Sequence, residues 1–189
     1  MGSEMCIRDR FGSDSDAMPA ALRRTIMGVV AAHADAATWD KLHAMAKSEK
    51  TPLVRDQYYT LLSIAEDEAL AKKALDLALT EEPGATNSAG MIATVSGEHP
   101  DLAFDYALEH REQVDAKVDT TSRARYFPAL GDSSLDPAMV GKLRAYADKY
   151  VAASSRRATE TAIANIQYRT QLRKDRLPAI DAWLAKRGG

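Results

Sequence analysis

The sequence has 189 residues, of which 46% are apolar and 28% are charged. A chain of this length buries about 70% of its unfolded surface, so it can fold as one domain without metal ions or disulfides. The 25 Lys and Arg against 27 Asp and Glu give a net charge of −2, which argues against a nucleic-acid partner because such proteins usually carry a basic excess.

The chain shows neither a long apolar run nor a signal-peptide pattern, so we expect no membrane partner. The single cysteine, Cys6, says nothing about the redox compartment. The sequence is compatible with either a cytoplasmic or a periplasmic location.

Residues 1–16 lack the periodicity of the rest of the chain, and their segment SEMCIRDR resembles translated adapter sequence at the ends of assembled reads. We expect this segment to be a non-native or disordered leader, and its Gly, Ser and Asp content suits a natural disordered tail equally well. The domain is expected to span residues 17–189.

Apolar residues from Pro19 onward recur every three or four positions, as in Val54, Tyr58 and Leu61, which predicts helices. No alternating strand pattern of useful length competes. Three X-Pro pairs, at Pro52, Pro100 and Pro137, mark helix starts, and Pro178 is read as a further start. Ten helices are predicted, over 18–36, 38–49, 52–65, 67–80, 87–97, 100–116, 120–130, 137–152, 156–174 and 177–186.

Such short helices, each with one apolar stripe, must pack on their neighbours to be stable. The simplest solution is a series of antiparallel pairs. The interval between Pro100 and Pro137 falls in the range of helical-pair repeats. We therefore predict an all-α, HEAT-like α-solenoid of about ten short antiparallel helices.

Histidines are the natural candidates for a metal site, and two of the four lie in the Glu-His pairs at His99 and His110. On one helix these would be three turns apart, about 16 Å, which is too far to share a zinc ion. His33 and His43 lie on adjacent predicted helices, but two histidines without a third ligand more often mark a packing or surface site. We predict no catalytic residue and no metal site in this chain.

Three segments carry a family resemblance: TWDKLHAMAKSEKTPLVRDQYYTLLSIAEDEALAKKALDLALT over residues 38–80, SGEHPDLAFDYALEH over 96–110, and RLPAIDAWL over 176–184. Together they resemble the C-terminal helical domain of gluzincin zinc aminopeptidases, in the branch of the puromycin-sensitive and endoplasmic-reticulum enzymes. The resemblance covers residues 20–187.

In that family an upstream domain holds zinc with an H-E-x-x-H motif and a downstream glutamate, and binds the substrate amine with G-x-M-E-N. Neither motif occurs in this sequence. The resemblance implies a non-catalytic domain fragment that encloses the substrate chamber and contacts the distal part of the peptide. It implies zinc as a cofactor of the complete enzyme only, and a peptide substrate as the partner.

Within this domain we predict Arg123, Arg125, Tyr126 and Arg156 as peptide-contacting residues. They lie near predicted helix starts, and an arginine can hold a peptide's C-terminal carboxylate by two parallel hydrogen bonds. The rival interpretation is a free-standing helical-repeat binding module. The net charge of −9 before Lys142 and +7 from Lys142 onward would then serve partner recognition.

Overall fold

The computed structural model describes residues 20–187, so the predicted leader lies outside the described residues. Within this range the chain is helical and has no strand, which confirms the all-α prediction. A short 3₁₀ helix, Ala153–Ser155, precedes the last α-helix. The ten α-helices are α1 Ala20–Ala32, α2 Ala36–Ser48, α3 Pro52–Leu62, α4 Glu68–Leu79, α5 Ala85–Glu98, α6 Pro100–Glu109, α7 Arg111–Lys117, α8 Arg123–Gly131, α9 Ala138–Tyr150 and α10 Arg157–Arg187.

The helices pack as successive pairs. Helix α2 packs on α3, α4 on α5, α6 on α8, and α9 on α10. The second members of these pairs also pack on one another in chain order, α3 on α5, α5 on α8 and α8 on α10, and α1 packs on α3. This arrangement is the predicted HEAT-like solenoid, in which each pair is stabilised by its neighbours.

Polar bonds between equivalent positions of successive pairs show the repeat directly. Carboxylates on α2, α4 and α6 each accept a hydrogen bond from a side chain on the helix of the next pair, 30 to 37 residues later in the sequence. The three bonds are Lys73 Nζ to Asp40 Oδ1 at 2.5 Å, Tyr106 Oη to Asp76 Oδ1 at 2.7 Å, and Lys142 Nζ to Asp105 Oδ2 at 2.6 Å. Because these bonds join the pairs along one side, they fix the register of the stack.

One continuous apolar core runs between the helices from Ala31 to Ile166. Trp39, Phe104 and Phe127 are among its largest fully buried side chains. Close packing also explains Gly131 at the end of α8, where an added Cβ would lie 2.9 Å from the Sδ atom of buried Met139. The core therefore crosses every repeat instead of forming separate clusters.

Local sequence explains four of the ten helix starts. Asp35 caps α2 by accepting a hydrogen bond from the backbone N–H of Thr38 at 2.8 Å, and Asp67 caps α4 in the same way through Leu70 at 3.0 Å. Pro52 and Pro100 occupy first helical positions, as predicted.

The predicted helix over 100–116 is wrong in one respect, since the chain bends at His110 and forms two helices. The imidazole of His110 packs against the ring of Tyr106 with 4.5 Å between centroids. Beyond the bend, α7 contacts α5 and buries Val114 completely. Burial of Val114 requires the change of direction, which the apolar spacing alone did not indicate.

The predicted helix start at Pro178 is also wrong, because Pro178 lies inside the single 31-residue helix α10. A proline inside a helix removes one N–H and leaves the carbonyl four residues earlier without its helical partner. That carbonyl belongs to Lys174, in a segment where every residue from 171 to 187 is exposed. Water can therefore hydrate the carbonyl, and the helix continues.

Candidate peptide-binding groove

A groove of about 650 Å³ lies between α8 and α10. Four alanines, Ala124, Ala129, Ala158 and Ala162, contribute small side chains to its lining. Because these side chains are small, they leave the space between the two helices unfilled at the surface. The groove is thus a shallow apolar channel with polar groups beside it.

Two arginines line this groove from opposite helices. Arg125 belongs to α8 and Arg157 opens α10, and both side chains are exposed. The acidic lining residue Asp132 accepts a hydrogen bond at 2.8 Å from the Nδ2 of Asn165. The groove therefore carries two guanidinium groups and one carboxylate, and the carboxylate accepts a hydrogen bond from Asn165.

Of the four residues predicted to contact peptide, Arg125 is the one that lines the groove. Arg123 donates from Nε to the carbonyl of Val118 at 3.2 Å, and Arg156 donates from Nε to the carbonyl of Val151 at 3.2 Å. Both carbonyls belong to the residue that ends a preceding helix. These arginines thus satisfy helix-end carbonyls that lack a helical partner.

The Nη1 atom of the same Arg156 guanidinium forms an ion pair with Asp148 at 2.6 Å. Tyr126 donates its hydroxyl to the carbonyl of Ala89 on α5 at 2.7 Å, and burial raises the pKa of its phenol. Arg123, Tyr126 and Arg156 thus each stabilise the fold by donating to a backbone carbonyl. Their role in peptide binding stays a prediction.

Arg169, which no sequence pattern marks, lies one helical turn after Asn165 on α10. Its Nε and Nη2 atoms are buried and have no hydrogen-bond partner, and the hydroxyl of the adjacent Thr170 is in the same state. Buried donors of this kind are rare because each leaves a desolvation cost uncompensated. Sequence spacing alone gives no signal for such a state, because it depends on how α10 packs.

The two Glu-His pairs line a different, acidic groove of about 820 Å³ between α4 and α6. His99 contacts the carbonyl of Ala65 through Nε2 at 3.0 Å, so this nitrogen must carry the proton and donate. The bond joins the start of α6 to the segment after α3. His99 and His110 therefore flank the two ends of α6, while Glu98 ends α5 and Glu109 ends α6.

His33 and His43 each contact a different glutamate. The Nδ1 of His33 lies 3.0 Å from Glu66, and the Nε2 of His43 lies 2.6 Å from Glu82. Across residues 20–187, no three His, Cys, Asp or Glu side chains are grouped so that they could hold a metal ion. In the same part of the chain, no helix has the length and apolar character needed to cross a membrane.

Comparison with known proteins supplies the family. A search of curated proteins finds no match to this chain. The family model described as "ERAP1-like C-terminal domain" matches residues 7–168, which is most of the chain. The match overlaps residues 7–16 of the predicted leader, whose boundary stays a prediction. The chain belongs to the ERAP1-like C-terminal domain family, and it is therefore part of an aminopeptidase.

Proposed function

We propose that this chain is the non-catalytic C-terminal helical domain of a zinc metallo-aminopeptidase that removes N-terminal residues from peptides. The family match over residues 7–168 carries the proposal. The domain walls off the substrate chamber and holds the distal part of the peptide. We place the complete enzyme in the puromycin-sensitive branch on the three segments that resemble it.

Zinc belongs to the rest of the enzyme in this proposal. The described residues do not fit a zinc site, since their acidic and histidine side chains form no group of three with suitable geometry. When bound in its own domain, zinc polarises the scissile carbonyl. The helical domain contributes by binding and orienting the peptide away from the reacting bond.

The groove between α8 and α10 supplies the physical basis for peptide binding. Arg125 and Arg157 line it from opposite helices, and a guanidinium can bind a carboxylate by two parallel hydrogen bonds. The alanine lining accepts the last side chains of a peptide without selecting strongly for shape. We propose that the peptide's C-terminal carboxylate binds here.

Arg125→Ala in the complete enzyme tests this proposal. A charge-assisted hydrogen bond contributes about 1.5–3 kcal/mol, so KM for a free-acid peptide should rise roughly tenfold or more with little change in kcat. KM for the same peptide with an amidated C-terminus should not change. Arg144→Ala is the matched control, because Arg144 is an exposed arginine on α9 that does not line the groove. Equal effects on acid and amide peptides would contradict carboxylate binding at this groove.

A further inference from the structure

The second half of α10 extends beyond the packed body of the domain. Every residue from 171 to 187 is exposed, although the first half of the same helix packs against α8 and α9. The family match ends at residue 168, close to the point where the helix leaves the body. The extension therefore begins close to the end of the family match and forms a surface of its own.

This extension carries a long apolar stripe. Leu177, Ile180 and Leu184 follow at intervals of three and four residues, and their side chains are 43%, 49% and 53% exposed. At 100° per residue, the stripe lies on the same side of α10 as Ala162 and Ile166, which are buried in the body. The side of α10 that packs on the core thus continues outward with its apolar surface open to water.

The charges beside the stripe indicate what can cover it. Lys174 and Asp181 lie on one flank of the stripe, while Arg176 and Trp183 lie on the other. In a parallel pair of these helices, two-fold symmetry sets each flank against the opposite flank of the other copy, so Lys174 would lie close to Arg176 of that copy. Like charges in that position are destabilising.

An antiparallel pair of the same helices is complementary. With Leu177 opposite Ile180 of a second copy, Lys174 of each helix lies close to Asp181 of the other, and the two-fold symmetry forms this ion pair twice. On the other flank, Arg176 comes close to the indole of Trp183 of the second copy, a favourable cation–π arrangement. The sequence of the extension is thus self-complementary in one orientation.

We propose that the exposed stripe of α10, formed by Leu177, Ile180 and Leu184, is a self-association surface that pairs antiparallel with the same stripe of a second copy of this chain. The contact is isologous, so it closes at a dimer and does not propagate into a filament. It is also small, because it consists of about five turns of one helix pair. We expect a dimer that forms and dissociates reversibly with concentration.

Sedimentation equilibrium of the 189-residue chain over a range of concentrations tests the surface. The wild-type chain should show a monomer–dimer equilibrium. Ile180→Glu places a charge in the apolar stripe and should raise the dissociation constant at least about tenfold. Ala182→Glu adds the same charge on the opposite side of the same turn and should leave the equilibrium unchanged. Far-UV circular dichroism should show that both variants stay helical.

Charge reversal tests the orientation. Lys174→Glu and Asp181→Lys should each weaken the dimer, and the two changes together should restore it because the pair is reformed with opposite sign. Failure of the double variant to restore the dimer would overturn the antiparallel register.

Three other outcomes would overturn the proposal that this stripe is a self-association surface. One is a wild-type chain that stays monomeric throughout the range. Another is an Ile180→Glu variant that dimerises like the wild type. The third is loss of the dimer in Leu53→Glu, since Leu53 is an exposed apolar residue on α3, far from the extension in sequence.

Discussion

Trp39 allows a test of how one buried side chain holds the first helix pair together. Its side chain is 1% exposed, and its indole N–H donates to the carbonyl of Leu62 at 3.0 Å. Leu62 is the last residue of α3, so its carbonyl lacks a partner within the helix. Lys73 of α4 lies 4.2 Å from the centroid of the indole ring. The one side chain therefore joins α2 to the end of α3 and to α4.

We expect Trp39→Phe to destabilise the domain by about 3 kcal/mol. Leaving the carbonyl of Leu62 buried and unpaired costs about 1–3 kcal/mol, and the smaller ring leaves a cavity that adds to this cost. For a domain of this size, such a loss lowers the melting temperature by roughly 6–12 °C. Thermal unfolding followed by far-UV circular dichroism measures the shift.

The second tryptophan supplies the control. Trp183 is 52% exposed on the extension of α10, so Trp183→Phe makes the same chemical change without a buried carbonyl or a cavity. At concentrations where the chain is monomeric, its melting temperature should stay within about 1 °C of the wild type. Similar shifts in the two variants would refute the idea that this bond from Trp39 holds α2 to the end of α3.

Two further predictions concern pH and close packing. Although burial opposes it, hydrogen bonding and charge from His43 hold the pKa of Glu82 below its usual range, so this carboxylate contributes stability above its unfolded pKa. The gap in melting temperature between wild type and Glu82→Gln should be full above about pH 5 and shrink towards about pH 3. The 96% exposed Glu81 provides the control Glu81→Gln, which should show a much smaller gap. In chemical denaturation, Gly141→Ala should raise the free energy of unfolding by about 0.5–1 kcal/mol, because an added Cβ there has free space. Gly131→Ala should give no such increase, because its Cβ would lie too close to Met139. Equal increases in the two variants would contradict the close contact.

The helical periodicity was sufficient to predict the fold class and most helix positions. Short helices with one apolar stripe have few ways to pack, so the pairwise stack follows from local pattern. The bend at His110 could not be predicted in this way, because it depends on where Val114 finds a buried place against α5. Continuation of α10 through Pro178 also depends on tertiary context, namely the exposure of the segment that surrounds it.

The candidate groove was less predictable than the fold. Arginines near helix starts are common, and the sequence could not separate those that hold a helix end, such as Arg123 and Arg156, from Arg125 in the groove. The difference lies in which carbonyl or cavity each side chain reaches after folding. The unpaired donors of Arg169 are likewise a property of packing and have no counterpart in the sequence pattern.

The central claim is that this chain is the helical domain of an aminopeptidase whose catalytic part is encoded upstream. Long-read sequencing of the source DNA across codons 1 to 16 tests it most directly. We predict an open frame that continues upstream into H-E-x-x-H and G-x-M-E-N. A genuine start codon with a ribosome-binding site at that position would contradict the claim and would make this chain a free-standing helical module.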